Sequence, residues 1–316
     1  MDFFEKSTFR NGRFISIPEG KSKTLADVIK WKWTSEPKAW PKWRHLSALP
    51  LQEIDANQNS ATWISHSTVL LKIHGQTILT DPVFSNRIGP HPWLGIKRKT
   101  PPGKTIESLP PIDIILISHN HYDHLDAFSI KAILSSNNPL VIAPLGNGTL
   151  LRSLGCTRVI ELDWWDSFQA TPLLNIALTP ALHWSRRTLW DTCQALWGGF
   201  VIQSPPLKIF FAGDTGYHDH FQKIHQKFGP MDFSLLPIGA YEPKWFMKDA
   251  HMDPADAIQA HLDLHSKQSM GIHFGTFRLT DEGIDDPVDE LKMVLVKAKV
   301  DPLSFTAPLL GQTITI

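Results

Sequence analysis

The spacing of apolar positions predicts β-strands from residue 61 to the end of the chain. The stretch TVLLKIHGQTILTDP (68–82) alternates apolar and polar residues on both sides of His74-Gly75, which predicts a β-hairpin. The run IDIILIS (112–118) is almost wholly apolar, as expected of a strand that is buried on both faces. Further apolar runs predict strands at LVIAP, RVIEL, NIALTP, GGFVIQS, KIFFAGD, FSLLPIG, SMGIHFG and GQTITI.

Helical patterns lie between these strands. The stretch DAFSIKAILSS (126–136) predicts one helix. Asp253 lies at an expected N-cap, with Pro254 at the first helical position. Asp286 and Pro287 repeat this arrangement before a later helix. Because many strands alternate with a few helices, the sequence predicts a layered α/β (α+β) fold.

The first 55 residues follow a different pattern. They are rich in basic residues, proline and tryptophan, and a helical spacing is seen only at Leu25, Val28 and Ile29, which predicts one short helix. We interpret residues 1–55 as an N-terminal extension that packs on a main domain of residues 56–316.

The segment from Lys30 to Arg44 interleaves tryptophan with lysine, and two interpretations of it stay open. In the first, the tryptophans pack the extension onto the main domain while the lysines remain solvated. In the second, the segment contacts a membrane surface or an anionic polymer backbone. The tryptophans concerned are Trp31, Trp33, Trp40 and Trp43.

Composition narrows the classes of function. The chain has 316 residues and a formal net charge of zero, so the molecule as a whole shows no preference for nucleic acid or anionic membranes. Its two cysteines, Cys156 and Cys193, are too few for a disulfide framework, and we expect both to be reduced and buried in a cytoplasmic protein. The N-terminus lacks a signal-peptide pattern, and no apolar run approaches the roughly 20 residues that cross a bilayer.

Histidines concentrate where the predicted strand IDIILIS ends. The continuation reads H-x-H-x-D-H. His119 and His121 would share a face if the strand continued through them, because side chains alternate along a strand. Asp123 and His124 lie where the chain turns into the next helix. Imidazole and carboxylate are ligands of zinc, and also of iron and manganese, so this stretch predicts a metal site.

Three later predicted strands also end on metal-type side chains. His183 follows the apolar run in IALTPALHWSRR, Asp214 follows the run in IFFAGDTGY, and His273 lies in SMGIHFGTF between small residues. Each segment has the same order of an apolar strand, a ligand-type residue and a loop. A buried histidine is often a hydrogen-bonded core residue. The repeated order nevertheless favours one shared metal site.

H-x-H-x-D-H followed by His, Gly-Asp and His resembles the metallo-β-lactamase superfamily over the part of the chain from about Ala61 onward. The resemblance implies an αββα sandwich with two metal ions at the edge between its sheets, most typically zinc, with iron or manganese as alternatives. It also implies the ligands. One metal would be held by His119, His121 and His183, the other by Asp123, His124 and His273, and Asp214 would bridge the two.

The flanking segments resemble one branch, the N-acylphosphatidylethanolamine-hydrolysing phospholipase D family and its bacterial homologues. The segments are WISHSTVLL, LTDPVFSNRIGP, LISHNHYDHLD, TPALHWSRR, GDTGY, IGAYEP, HMDPADAIQAH and SMGIHFGTFRL. Ser65 departs from the family pattern, which usually has glycine there. This difference weakens the inference about substrate more than the inference about metal. The resemblance implies a small-molecule or lipid substrate.

Two bound metals would allow hydrolysis by a shared hydroxide, because metal binding lowers the pKa of water to about 7. The sequence then assigns roles around such a site. Asp123 is expected to orient or receive a proton as well as to bind metal, and His251 is expected to donate to the leaving oxygen. Asp81 is expected to hold a ligand histidine through its second ring nitrogen.

The ligands alone leave the substrate open. A phosphodiester is the leading hypothesis, and a lactone or another carboxyl ester would be attacked in the same way. A nuclease would need a basic groove beside the metals, whereas the clearest basic run lies in the extension, so no nucleic-acid partner is expected. Trp164, Trp165, Trp184 and Trp190 are hypothesised to line an apolar groove near His183.

Overall fold

The structure is a computed structural model that describes residues 4–16, 23–49, 58–91 and 93–316. The strands are β1 (Thr8–Arg10), β2 (Arg13–Ile15), β3 (Ser60–Ser65), β4 (Thr68–Ile73), β5 (Gln76–Thr80), β6 (Arg87–His91), β7 (Leu94–Lys97), β8 (Ile114–Leu116), β9 (Leu140–Pro144), β10 (Val159–Leu162), β11 (Ser167–Thr171), β12 (Leu174–Thr179), β13 (Gly199–Ser204), β14 (Leu207–Phe211), β15 (Phe233–Pro237), β16 (Gln268–Ile272), β17 (Phe305–Thr306) and β18 (Thr313–Thr315).

The α-helices are α1 (Leu25–Thr34), α2 (Ala127–Leu134), α3 (Gly148–Ser153), α4 (His220–Phe228), α5 (Lys244–Met247), α6 (Pro254–Asp263) and α7 (Asp286–Ala298). A single turn of 3₁₀ helix covers Ile106–Ser108.

Two seven-stranded sheets form the centre of the molecule. Their strand orders are β10-β9-β8-β5-β4-β3-β18 and β11-β12-β13-β14-β15-β16-β17. One core lies between the sheets and extends beneath α4, α6 and α7, and a second core lies between the first sheet and helices α2 and α3. Helices therefore cover the outer face of each sheet, and the predicted αββα sandwich is confirmed.

Strand β8 shows why an uninterrupted apolar run was needed. Ile114 and Leu116 point into the core between the sheets, whereas Ile115, and Ile117 just after the strand, point into the core beneath α2 and α3. Because successive side chains face opposite sides of a strand, both sets must be apolar. Full burial of each such side chain stabilises the fold by about 1.5–3 kcal/mol.

The direction of the strands brings several loops to one edge. Strands β5, β8 and β9 run parallel to one another, as do β14, β15 and β16. Strand β12 is antiparallel to β13, which is antiparallel to β14, so β12 also points toward this edge. Loops that follow the carboxyl ends of these strands therefore lie together, as ligand-binding loops do in open α/β sheets.

Several local predictions are confirmed. His74 and Gly75 form a two-residue turn between β4 and β5, both with positive φ, as this tight hairpin requires. The Asp253 carboxylate accepts a hydrogen bond from the Asp256 amide at 2.9 Å and caps α6, with Pro254 at its start.

Two local predictions were wrong. Helix α7 begins at Asp286, so its N-cap is Asp285 rather than Asp286. Strand β8 ends at Leu116, so His119 and His121 lie in the following loop and not on one face of a strand. Helices α4 and α5 and the hairpin of β6 and β7 had not been predicted. Helix α4 does carry an amphipathic period, with Phe221, Ile224 and Phe228 on one face, so its signal was present in the sequence and was missed.

The described part of the N-terminal segment packs on the main domain through polar contacts. The Trp31 indole donates to Asp281 at 2.8 Å, and the Trp40 indole donates to the Glu282 carbonyl at 2.8 Å. Trp33 remains 88% exposed. Packing by tryptophan is therefore observed for two of the four side chains. The proposed boundary at residue 55 lies outside the described residues, and the division into two domains stays a prediction.

Both cysteines are free thiols. Cys156 is buried as expected, but Cys193 is only half-buried, so that part of the prediction was wrong. Among the residues described, no helix is both long and apolar enough to cross a membrane.

Candidate metal centre

The loops after six strands supply the predicted metal-type side chains and their neighbours. Asp81 follows β5, the H-x-H-x-D-H stretch follows β8, and His183 follows β12. Asp214 follows β14, His251 follows the loop after β15, and His273 follows β16. The seven side chains that the sequence singled out as metal ligands all come together at this edge, and all but His121 and Asp123 are fully buried.

Three histidines form the first group. The Nε2 atoms of His119 and His183 lie 2.8 and 3.2 Å from Nδ1 of His121. His183 must donate its Nδ1 proton to the Ala250 carbonyl, 3.0 Å away, because a carbonyl only accepts. Its Nε2 therefore carries a lone pair. The Ser118 hydroxyl lies against Asp81 and accepts from Nδ1 of His119 in the same way, so three nitrogens meet with at most one proton among them.

The second group surrounds the Asp123 carboxylate. Its Oδ2 atom lies 3.1 Å from Nε2 of His66, 3.5 Å from Nε2 of His273 and 3.6 Å from Nε2 of His124. The other ring nitrogen of His124 contacts the fully buried Asp81 carboxylate at 2.6 Å. This contact orients the His124 ring as the sequence analysis expected of Asp81.

Asp214 lies between the two groups. Its Oδ2 atom is 3.1 Å from Nε2 of both His124 and His273, and 3.9 Å from Nε2 of His183 in the first group. His251 approaches the same oxygen with Nδ1 at 3.8 Å. One carboxylate oxygen is thus within reach of side chains from both groups.

Charge and burial act in opposite directions on these side chains. Burial by itself raises the pKa of the Asp214 carboxyl, but the rings of His124 and His273 hold it well below its usual range. Burial lowers the pKa of His273, yet Asp214 and Asp123 raise it to about 9. His121 lies in the first group, where burial lowers its pKa to about 4. The anionic carboxylates of Asp123 and Asp214 therefore face the cationic rings of His124 and His273, and a divalent cation can replace such protons. Burial lowers the pKa of the neighbouring His66 to about 3.

The side chains fit a metal because several of their buried polar atoms have no hydrogen bond within the described part of the chain. Buried atoms without a hydrogen bond among the described residues include Oδ1 of Asp214 and Nε2 of His124 and His273, although both nitrogens lie 3.1 Å from Oδ2 of Asp214. Buried polar atoms are nearly always paired, so a cluster of unpaired ones indicates a missing partner. Imidazole nitrogens and carboxylate oxygens suit zinc, iron or manganese.

His66 is a member of the cluster that sequence reasoning missed. It lies in the turn between β3 and β4, is almost completely buried, and has a φ of 51°. Its carbonyl accepts from the Trp63 indole and the His273 amide, at 2.9 and 3.0 Å. A left-handed conformation at a non-glycine residue often accompanies function. The signs in the sequence were a histidine placed in a tight turn between two apolar strands, and its position in WISHSTVLL, one of the segments that carry the family resemblance.

The tryptophans near His183 have different positions. Trp164 is fully buried and donates its indole proton to the Trp197 carbonyl, and Trp165 packs against Phe4. Trp184 contacts the cluster, with its ring centre 4.6 Å from that of His121. The hypothesis of one apolar groove lined by all four tryptophans was therefore wrong for Trp164 and Trp165.

The fold and the cluster belong to a known class. A family model described as the beta-lactamase superfamily domain matches residues 76–274, and the chain belongs to that superfamily. In structure, the chain is similar to Igni18, a metallo hydrolase from the archaeon Ignicoccus hospitalis, with a TM-score of 0.61 and 22% identity. That match covers 82% of this chain and 98% of the other, and it supports the fold alone.

Relatives within the superfamily are more specific. The chain is 37% identical over 266 residues to the N-acyl-phosphatidylethanolamine-hydrolyzing phospholipase D 1 of Caenorhabditis elegans. The matched region covers 79% of this chain and 75% of that protein. It is also 36% identical over 324 residues to an uncharacterized protein of Mycobacterium tuberculosis, covering 98% of this chain and 84% of that protein. The chain is therefore a homologue of the N-acylphosphatidylethanolamine-hydrolysing phospholipases D.

Proposed function

We propose that this protein hydrolyses phosphodiesters with two bound metal ions, in the manner of a phospholipase D. The coarser statement, that it is a metal-dependent hydrolase of metallo-β-lactamase fold, rests on its superfamily and on the His/Asp cluster. The observation that carries the two-metal proposal is the Asp214 oxygen shared between two groups of ligands. The phosphodiester part is supported by the homologous phospholipase D of Caenorhabditis elegans.

The proposed ligands keep the assignment made from the resemblance. One ion would be held by His119, His121 and His183, and the other by Asp123, His124 and His273, with Asp214 between them. Zinc is the first expectation, with iron and manganese as alternatives. When bound, the two ions supply Lewis-acid stabilisation of negative charge and lower the pKa of water.

The surrounding side chains orient the ligands and handle protons. Asp81 and the Ala250 carbonyl fix the rings of His124 and His183, so that each presents Nε2 inward. We propose that Asp123 orients a proton at its Oδ2 atom. Burial lowers the pKa of His251 to about 4, so its ring is neutral at pH 7. A neutral imidazole still carries one N–H, which we propose donates to the leaving oxygen.

We also propose contact with the cytoplasmic surface of a membrane through α1. Leu25, Ile29 and Trp33 lie at i, i+4 and i+8 on one face of this helix and are 75%, 58% and 88% exposed. The exposed Lys30 and Lys32 lie beside that face. An apolar stripe flanked by lysines is typical of helices that lie in a membrane interface. Sedimentation with anionic and neutral vesicles tests this part, and a Trp33→Ala variant that binds both as wild type does would contradict it.

One purified sample tests the main proposal. Metal analysis should find close to two transition-metal ions per chain, and chelation should abolish turnover. A matched panel of bis-aryl phosphodiesters, N-acylphosphatidylethanolamines and lactones then separates the substrate classes. We expect hydrolysis of the first two. His121→Ala should remove both metal and turnover.

The possible results separate the parts of the proposal. Full activity without bound metal would contradict the two-metal hydrolase. Stoichiometric metal with hydrolysis of lactones alone would replace the phosphodiester with a carboxyl ester. Stoichiometric metal without turnover on the whole panel would indicate a metal-binding protein that is not a hydrolase.

A further inference from the structure

Arg187 connects two loops that carry the clustered histidines. Its side chain extends from the loop that follows His183. Its Nη1 atom donates to the carbonyl of Asn120 at 2.9 Å and to the carbonyl of Leu125 at 2.7 Å. These two carbonyls lie at the beginning and end of the stretch that holds His121, Asp123 and His124. One guanidinium nitrogen thus bonds both ends of that stretch and holds them together.

The contact between the loops is reciprocal. The Arg187 guanidinium lies over the ring of Tyr122, 4.1 Å from its centre. The Tyr122 hydroxyl donates to the carbonyl of Arg187 at 2.8 Å. Each loop therefore supplies one side chain that bonds the backbone of the other loop.

The base of Arg187 is itself held in place. The Asp191 carboxylate accepts from the backbone amides of Arg187 and Thr188, at 3.0 and 2.8 Å. Hydrogen bonds within its own loop therefore fix the Arg187 backbone, and the side chain extends from this fixed position to the neighbouring loop. Hydrogen bonds with one charged partner are the stronger kind, so this arrangement is stiff.

We propose that Arg187 is a positioning residue that sets the distance between His183 and the histidines of the H-x-H-x-D-H stretch. This inference rests on the proposed function, because it takes those histidines as metal ligands. His119, His121 and His183 meet within hydrogen-bonding distance although they come from different loops. Their spacing depends on what joins the loops, and Arg187 and Tyr122 make direct bonds across that junction.

Lysine cannot reproduce the arrangement. An ammonium can donate to the two carbonyls, but it lacks the plane that stacks on the Tyr122 ring. Arg187→Lys should therefore fall between wild type and Arg187→Ala. The adjacent Arg186 is exposed and provides a matched control with the same change of charge.

Titration of the metal-free full-length protein with Co²⁺ tests the inference without using turnover. Its visible absorption reports ligand geometry, and the titration gives the affinity. Arg187→Ala should weaken Co²⁺ binding roughly 10–100-fold, as loss of residues that orient metal ligands does, and should change the spectrum. Arg187→Lys and Tyr122→Phe should give smaller changes in the same direction. Arg186→Ala should match wild type.

The outcomes separate this inference from the proposed function. A wild-type chain that binds no Co²⁺ would overturn both. Wild-type binding together with an unchanged affinity and spectrum in Arg187→Ala would overturn the positioning role alone, even if that variant unfolds at a lower temperature. If Arg187→Ala does not fold, the lysine and phenylalanine variants decide, since wild-type affinity and spectrum in both would contradict the role.

Discussion

Two regions of the molecule are rich in carboxylates, and they differ in how those carboxylates are paired. One is the metal centre. The other is a cavity of about 580 Å³ between the N-terminal segment, the loop after β15 and α7. Seven carboxylate residues line this acidic cavity: Glu36, Glu242, Asp281, Glu282, Asp286, Asp289 and Glu290.

Several carboxylates of the acidic cavity have donors. Glu282 is buried and accepts from the amides of Ala240 and Glu242, at 2.7 and 3.1 Å. Asp281 accepts from the Trp31 indole and from the Ser35 hydroxyl, both at 2.8 Å. These side chains fasten the N-terminal segment and a loop, which is a structural role.

The metal centre shows the opposite condition. It contains fewer carboxylates, but its histidine nitrogens face one another, and several buried atoms lack partners among the described residues. Unpaired buried atoms cost free energy, so they persist where a ligand pairs them. Buried polar atoms that lack hydrogen bonds therefore indicate the functional site better than the size of a cavity or its number of carboxylates does.

The largest effect is expected from a substitution of Asp214, the carboxylate that lies between the two groups of ligands. Asp214→Asn keeps the shape of the side chain but removes its charge. It should weaken metal binding by more than about 100-fold, which exceeds the usual loss for residues outside the ligand set. Metal analysis and turnover measure this. Asp289→Asn in the acidic cavity is the control. Equal loss of metal in both variants would contradict the claim that only the first region binds metal.

The next effect concerns acid and the buried histidines of the metal-free protein. His251 has a folded pKa of about 4, below the unfolded value of about 6.5, so between these pH values the unfolded chain binds more protons. The contribution of His251 to the free energy of unfolding is therefore highest above pH 6.5, where the ring is neutral in both states, and it decreases as the pH falls from 6.5 toward 4. At pH 5 the loss is about 2 kcal/mol. Urea unfolding at pH 7.5 and 5 should show a smaller difference for His251→Gln, and an equal difference would contradict the burial argument.

A smaller effect is expected in the acidic cavity. Asp281→Ala removes the acceptor of two hydrogen bonds and should lower the free energy of unfolding by about 1–2 kcal/mol. It should leave metal content unchanged. Urea unfolding and metal analysis of the same sample check both halves. Loss of metal in Asp281→Ala would show that the acidic cavity supports the centre directly.

The smallest effect is expected at the surface of the same cavity. Lys38 pairs with Asp286 at 2.6 Å, but its side chain is 65% exposed. Exposed pairs contribute little because water and salt screen them. Lys38→Ala should therefore unfold at the same urea concentration as wild type within experimental error. A clear shift that disappears at high salt would show that the pair fastens the N-terminal segment.

Much of the centre was predictable because its side chains follow a local rule. His183, Asp214 and His273 each come directly after an apolar strand, and parallel strands end at one edge. His66 did not follow this rule, since it lies in a hairpin turn. Its place beside Asp123 depends on a left-handed backbone and on bonds to Trp63 and His273. Trp63 is only three residues away, but His273 and Asp123 are distant in sequence, so no local pattern predicts that His66 joins the cluster.

The sequence by itself determined the two-faced apolar strands, the hairpin at His74-Gly75 and the kinds of side chain that end the strands. Those features depend on neighbours along the chain. Only the tertiary structure decided that Asp214 lies between two groups, that Arg187 bonds the loop of His121, and that Asp281 and Glu282 of the acidic cavity are already paired. Such relations depend on distances between segments far apart in sequence, which packing of the two sheets sets.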